Sequence, residues 1–196
     1  AWQYTWYVPH DVNNLIRLMG GRDAFNEKLD SLFQISSELG EEAALDVSGL
    51  IGQYVHGNEP SHHIAYLYNY SGQPWKAQEK IGQIMKTMYS SEPDGLAGNE
   101  DCGQMSAWYL FSALGFYPVN PANGRYDLGV PAFDRAEIQV GNQRIFVIQA
   151  LNLSPENRYV RSIRLNQSLL DRLYITYDEI MSGGVLEFEM TDEPVK

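Results

Sequence analysis

Side chains able to do chemistry gather in three short stretches of the 196-residue sequence: Pro9-His10-Asp11, Gly57-Asn58-Glu59-Pro60-Ser61-His62-His63 and Gly98-Asn99-Glu100-Asp101-Cys102-Gly103-Gln104. They supply carboxylates, amides and imidazoles. Paired carboxylates suit general acid and base work, because one group can donate a proton while the other accepts one. Spacing alone does not choose the pair. The oxygen-rich set Asn58, Glu59, Asn99, Glu100 and Asp101 suits a hard cation such as calcium, which takes roughly six to eight oxygen ligands. His62-His63 is a poor transition-metal pair, since adjacent helical residues point about 100° apart. Plain structural readings stand beside these. Asp11 and Asp101 sit where helix N-caps are expected, and Glu59 before Pro60 reads as a turn and first-turn acid.

All three stretches fall at the start of an expected helix, so the elements that carry them matter. Asp11 precedes Val12, Leu15, Ile16 and Met19 at helical spacing, with Gly20-Gly21 as the stop. A second helix covers Arg22 to Phe33. Pro60 is placed as the first residue of a helix running to about Tyr70, with Ile64, Leu67 and Tyr68 on its apolar face. Pro74 opens another, striped by Trp75, Ile81, Ile84, Met85 and Met88. Asp101 and Gln104 fit a capping box for a helix over 101–114. Polar loops at one end of a helical bundle would share a single cleft.

Beyond Pro118 the period changes to that of strands. Segments 136–140, 144–150, 159–165, 173–177 and 185–190 recur about every ten residues with turn residues between them, which predicts an antiparallel sheet or sandwich. The expected organisation is therefore α+β in sequence order, with a helical part over 1–117 and a β segment over 118–196. Five helices cannot cover their own apolar stripes, and the β segment covers only some of them.

Composition narrows the class. Fourteen basic against 25 acidic residues leave a net charge of -11, which repels nucleic-acid phosphates and anionic membrane surfaces alike. No apolar run reaches the roughly eighteen residues of a membrane span, and no signal peptide is visible. The single Cys102 excludes an internal disulfide framework and a cysteine-based zinc site. No glycine-rich phosphate cradle and no Gly-x-Ser-x-Gly elbow occurs. Twenty-four aromatic residues, as the four Trp, thirteen Tyr and seven Phe sum to, would serve either core packing or stacking on sugar rings.

Three motifs taken with their order and flanks resemble glycoside hydrolase family 92, the calcium-dependent exo-α-mannosidases. They are Ala1-Trp2-Gln3-Tyr4-Thr5-Trp6-Tyr7-Val8-Pro9-His10-Asp11, then Gly57 to His63, then Gly95-Leu96 with Gly98 to Tyr109, followed by Tyr117-Pro118-Val119. The resemblance spans almost the whole chain. It implies an (α/α)6-type barrel in chains several times this long, of which this sequence would be the C-terminal helices followed by an antiparallel, sandwich-like β segment.

The resemblance also implies roles. Asp101 matches the base that activates water, and Asn99 sits where some relatives carry a second Asp beside that base. Asn58, Glu59 and Asp101 match the segments that approach calcium. Trp2, His10, Asp11, Glu59, His62 and His63 fall in motifs lining the mannose region. Hydrolysis would proceed with inversion, on terminal α-1,2-linked mannose of N-glycans, and the parent would be periplasmic or secreted. The general acid, a Glu in the family, would lie just before Ala1. This piece would then be inactive alone and would need the N-terminal part of the same polypeptide as its partner. Two rival readings are a carbohydrate-binding module and a structural piece whose exposed helix faces pair with another copy.

Overall fold

The chain begins as its capping residues predict. The computed structural model describes residues 2–38 and 47–196. A 3₁₀ turn at Tyr4–Trp6 precedes helix α1 (Val12–Leu18). Asp11 caps α1 by accepting the Asn14 N–H at 3.3 Å. Helix α2 (Arg22–Gln34) buries Phe25, Leu29, Leu32 and Phe33. A two-stranded hairpin follows, β1 (Leu50–Ile51) and β2 (Tyr54–Val55). Gly52 holds its turn, with φ +61° and a Cβ position only 2.4 Å from the Leu32 carbonyl oxygen, a place no other residue fits.

The single helix expected over 60–70 is instead broken into pieces. Glu59–Ser61 and Ile64–Tyr66 form 3₁₀ turns, and only Leu67–Tyr70 (α3) is α-helical. Residues 61 to 68 are all buried, so the segment has no solvent face to give it an amphipathic period. Its polar side chains are tied in several directions. The Tyr66 hydroxyl reaches Ser112 Oγ at 2.9 Å, that of Tyr68 reaches Asp30 at 2.8 Å, and Asn69 donates to the Leu128 carbonyl at 2.7 Å. We attribute the tighter turns to these demands.

Helix α4 (Pro74–Thr87) starts at its proline, and Lys76 pairs with Asp30 of α2 at 2.6 Å. Helix α5 (Gln104–Ala113) ends at a turn where Gly115, at φ +90°, touches Phe188. Strands β3 (Phe116–Tyr117), β4 (Arg125–Leu128), β5 (Arg135–Val140), β6 (Arg144–Leu151), β7 (Tyr159–Leu165), β8 (Ser168–Leu169), β9 (Tyr174–Thr176) and β10 (Gly184–Thr191) follow, with α6 (Tyr177–Ser182) before the last of them. A small antiparallel sheet has the order β3-β4-β9, and a larger one the order β5-β6-β10-β7-β8.

The larger sheet corrects the expectation of an antiparallel one. Strand β10 runs antiparallel to β7 but parallel to β6, so the sheet is mixed. Helix α6, which leads into β10, opens on a capping box between Thr176 and Glu179 that the sequence pattern did not reveal. Strand β3 lies before Pro118 yet pairs with β4 beyond it, so the smaller sheet draws on both parts of the chain. The two parts also meet where the Val160 N–H of β7 donates to buried Gln78 of α4 at 3.0 Å, and where the Tyr159 hydroxyl donates to Glu79.

One buried carboxyl sits in this junction. Asp127 on β4 accepts the Tyr70 hydroxyl at 3.0 Å, and burial pushes its pKa up to about 7. The folded state therefore keeps a proton that the unfolded chain releases near its ordinary carboxylate value. Its stabilisation is complete below that value and is lost as pH rises through about 7. Asp127→Asn should leave stability at pH 4 little changed and raise it by up to about 4 kcal/mol at pH 8, read by urea unfolding. Equal shifts at both pH values would contradict the assignment.

Candidate active site

Three acidic or amide residues in a row at the mouth of α5 have separate fates. Glu100 turns back, and its two carboxylate oxygens accept the Ser106 N–H at 3.0 Å and the Ser106 hydroxyl at 2.8 Å. Glu100 therefore provides the anionic partner at the helix N-terminus. The expected cap, Asp101, does not: the N-cap position belongs to Gly103, and α5 begins at Gln104 rather than at Asp101. The backbone runs left-handed through Asp101 (φ +51°), Cys102 (φ +57°) and Gly103 (φ +94°). That conformation costs an L-residue about 1–2 kcal/mol. It throws the Asp101 side chain outward, exposed, on the rim of a cleft.

Glu59 meets Asp101 there. It stands in the 3₁₀ turn opened by Asn58, close enough for the two carboxyls to share a hydrogen bond. That contact, with a little burial and the charges of Glu59 and Glu100, raises the Asp101 carboxyl above its usual range, and His62 opposes the rise. Two carboxylates in contact favour either a shared proton or a cation between them.

Behind this pair lies a cleft of about 440 Å³ walled by Tyr7, His62, His63, Gln104, Trp108 and Tyr117, among others. Its back wall is held by a chain of hydrogen bonds. His62 Nε2 lies 2.9 Å from the His56 carbonyl, Gln104 Nε2 lies 3.1 Å from His62 Nδ1, and the Trp108 indole donates to the His62 carbonyl at 2.9 Å. His63 Nε2 donates to the Trp6 carbonyl at 2.8 Å. Burial lowers the pKa of both His62 and His63. Deeper still, fully buried His56 sits between the hydroxyls of Tyr54 (2.8 Å) and Tyr89 (2.6 Å) and packs 4.4 Å from Trp108.

Of the residues singled out in the sequence, Glu59, His62, His63 and Asp101 converge on this cleft. Asp11 is engaged as the cap of α1. Trp2 packs against the core, His10 is exposed, and Asn58 and Asn99 lie in the two loops beside the carboxyl pair without lining the cleft. Ala1 lies outside the described residues. Gln104, Tyr117, Tyr7 and His56 were missed. The first was absorbed into a supposed capping box; the others lay in or beside the quoted motifs but were given no role. A larger cleft of about 900 Å³, between α4 and segments 130–134 and 153–158, contains none of the three motifs.

The donors at the rim are all oxygen, which fits a hard cation and no thiophilic one. Among the described residues no three carboxylate, imidazole or thiol side chains converge on one point. A cation here would thus need amide, backbone, water or substrate oxygens besides Glu59 and Asp101.

Comparison with known proteins gives a consistent picture. The family model described as the glycosyl hydrolase family 92 catalytic domain matches residues 1–192. A family GH92 α-mannosidase of Bacteroides thetaiotaomicron, solved alone and in complex with mannoimidazole, is 45% identical, with TM-scores of 0.91 and 0.93. In both, 99% of this chain covers 25% of that one. A second structure from the same organism, an inverting family GH92 mannosidase, is 37% identical with a TM-score of 0.85, over 99% of this chain and 27% of its own. An uncharacterized secreted glycosidase of Arthroderma benhamiae is 28% identical over 98% of this chain and 23% of its own length. The chain thus spans about a quarter of the length of these relatives.

The buried imidazoles behind the cleft make the fold acid-sensitive. His56 falls to about 3, mainly by burial and secondarily through His62. The unfolded chain takes up protons near its ordinary value of about 6.5 while the folded state refuses them, so this stabilisation is present above that value and is lost as pH falls toward 3. In NMR the His56 ring signals should not move between pH 8 and 5. A midpoint near 6.5 would refute the buried, neutral ring.

Proposed function

The chain belongs to glycosyl hydrolase family 92, and on that premise we propose that it forms one wall of the active site of an inverting exo-α-mannosidase acting on terminal, α-1,2-linked mannose of glycans. Helices α1 to α5 would be part of an (α/α)6-type barrel completed by the rest of the polypeptide. The observation that carries the reading is the Glu59–Asp101 carboxyl pair at the mouth of a cleft backed by fixed imidazole and aromatic groups.

In this mechanism Asp101 is the base. It takes a proton from a water molecule, the water oxygen attacks the anomeric carbon, and the leaving sugar oxygen receives a proton from a separate acid. A carboxyl raised above its usual range by Glu59 is a more basic group than an ordinary aspartate. An inverting pair stands roughly 6.5–9.5 Å apart so that the water fits between. Glu59 touches Asp101 and is too close to be the acid. The acid is therefore a different group, and residues 1–196 alone are proposed to be inactive. The left-handed turn at 101–103 is the strain through which the fold holds the base outward.

Asn58, Glu59 and Asp101 are proposed to hold calcium. The support is the all-oxygen donor set and the relief that a divalent cation offers two touching carboxyls. Calcium would neutralise charge beside the sugar and anchor its hydroxyls. His62, His63, Trp108 and Tyr7 shape and dry the wall against which the sugar sits. Secretion is supported by the name of the fungal relative, a secreted glycosidase, and a periplasmic location is proposed on the family resemblance alone.

Asp101→Asn in the full-length enzyme should lower kcat about 10²–10⁴-fold on an aryl α-mannoside with KM little changed. The first-formed sugar should be the β-anomer by NMR, and chelation with EDTA should abolish turnover until calcium is restored. Retention of more than a tenth of kcat in Asp101→Asn would remove Asp101 as the base. Activity untouched by EDTA would remove calcium. Turnover by residues 1–196 at the full-length rate would mean that both carboxyls are already present.

A further inference from the structure

Gln104 lies on the cleft wall with one end of its carboxamide fixed by a neighbour, and the direction of that fixing is chemically forced. The His56 carbonyl can only accept, so His62 Nε2, at 2.9 Å, carries the proton and donates. Burial keeps the His62 ring neutral, which leaves Nδ1 as a lone pair. Whatever faces Nδ1 must then donate, and of the two ends of the Gln104 amide only Nε2 can do so, at 3.1 Å. Tyr117 lines the same cleft, and its phenol lies near enough to the Gln104 amide for the amide to oppose the rise of its pKa that burial causes. The Nε2 end of the amide is thereby committed to the protein.

The consequence is for the other atoms. Gln104 Oε1 is not among the buried, unpartnered side-chain atoms of the described residues, and no protein donor is assigned to it. Gln104 lowers the Tyr117 pKa, as an amide N–H on the phenol side does, and this leaves the Tyr117 O–H to be donated toward the cleft. Both residues line the 440 Å³ cleft. An acceptor and a donor side by side match a hydroxyl group, which offers one proton and two lone pairs. A hydrocarbon or a carboxylate would satisfy only one of the two or neither.

We propose that Gln104 Oε1 and the Tyr117 hydroxyl together read one hydroxyl group of the terminal sugar, with His62 as the positioning residue that locks the amide in the reading orientation. This rests on the proposed function of the cleft and adds to it a substrate-selective contact that the carboxyl pair does not make. It also gives the buried His62 ring a task beyond packing. Its ring transmits orientation from a backbone carbonyl to the amide, and a protonated ring would turn Nδ1 into a donor and expel Nε2 of Gln104.

The test uses the full-length enzyme with Gln104→Leu, Gln104→Glu and Tyr117→Phe, assayed on a panel of aryl glycosides and then on the monodeoxy analogues of the best substrate. Against the intact sugar each Gln104 variant should lose about 10–100-fold in kcat/KM. One deoxy analogue should cost the wild type a similar factor but cost Gln104→Leu nothing further. Gln104→Glu, which cannot donate to His62, should also shift the His62 ring nitrogens in the NMR spectrum, a readout that simple loss of packing would not move. Losses that multiply for every deoxy analogue would overturn the assignment, as would Gln104→Glu behaving as wild type. Turnover of another glycoside but not of the α-mannoside would sink the mannosidase reading alone, since the coupling is then read on the sugar that reacts. Turnover of no glycoside would sink both.

Discussion

The hydrogen bond from the Trp108 indole to the His62 carbonyl joins two segments 46 residues apart, and most of the cleft depends on it. One end lies in the tight turns that carry Glu59, His62 and His63; the other lies in α5, whose first residue is Gln104. Trp108 is fully buried, stacks within 5.9 Å of Tyr89 and packs edge-on against His56. Removing the indole would strand a buried carbonyl, at about 1–3 kcal/mol, besides the lost packing. More consequential for function, it would free the two walls to drift apart, and with them the two carboxyls that meet only because the walls are fixed.

The same region shows how neighbouring residues of one chemical type are driven to different work. Glu100 and Asp101 differ by one methylene and one position. Glu100 reaches the Ser106 N–H, gains a charge-assisted hydrogen bond and becomes part of the helix terminus. Asp101, carried through left-handed backbone, faces solvent and Glu59 instead. The structure thereby spends conformational strain to keep a carboxyl uncommitted. The imidazoles divide similarly: His56 is sealed between two tyrosine hydroxyls, while His62 and His63 each anchor Nε2 to a backbone carbonyl and present the ring to the cleft.

The β part supports this wall without contributing to its carboxyl pair. Its contacts with the helices include Phe188 against Gly115, Gln78 bonded to Val160, Asn69 bonded to the Leu128 carbonyl, and Tyr70 bonded to the buried Asp127. Because Asp127 prefers to be neutral and the buried histidines resist protonation, their pH dependences oppose one another. The histidines weaken the fold as acid is added and Asp127 weakens it as base is added.

Much of this was legible in the sequence because it is local. Asp11 with helical apolar spacing, Pro74 at a helix start and the β-branched runs beyond Pro118 are decided by capping, ring geometry and side-chain period within a few residues. So were the three motifs and the family resemblance they carry. The broken segment at 59–70, the parallel pairing of β10 with β6 and the role of Gln104 were not, because each is settled by partners distant in sequence. Asp101 shows the boundary best. Its type and spacing fit a helix cap as well as they fit a base, and local chemistry cannot separate the two. Only the folded chain decides, by putting Gly103 at the cap and the Glu100 carboxylate on the first turn of α5, turning the backbone left-handed and placing Glu59 against the carboxyl that remains.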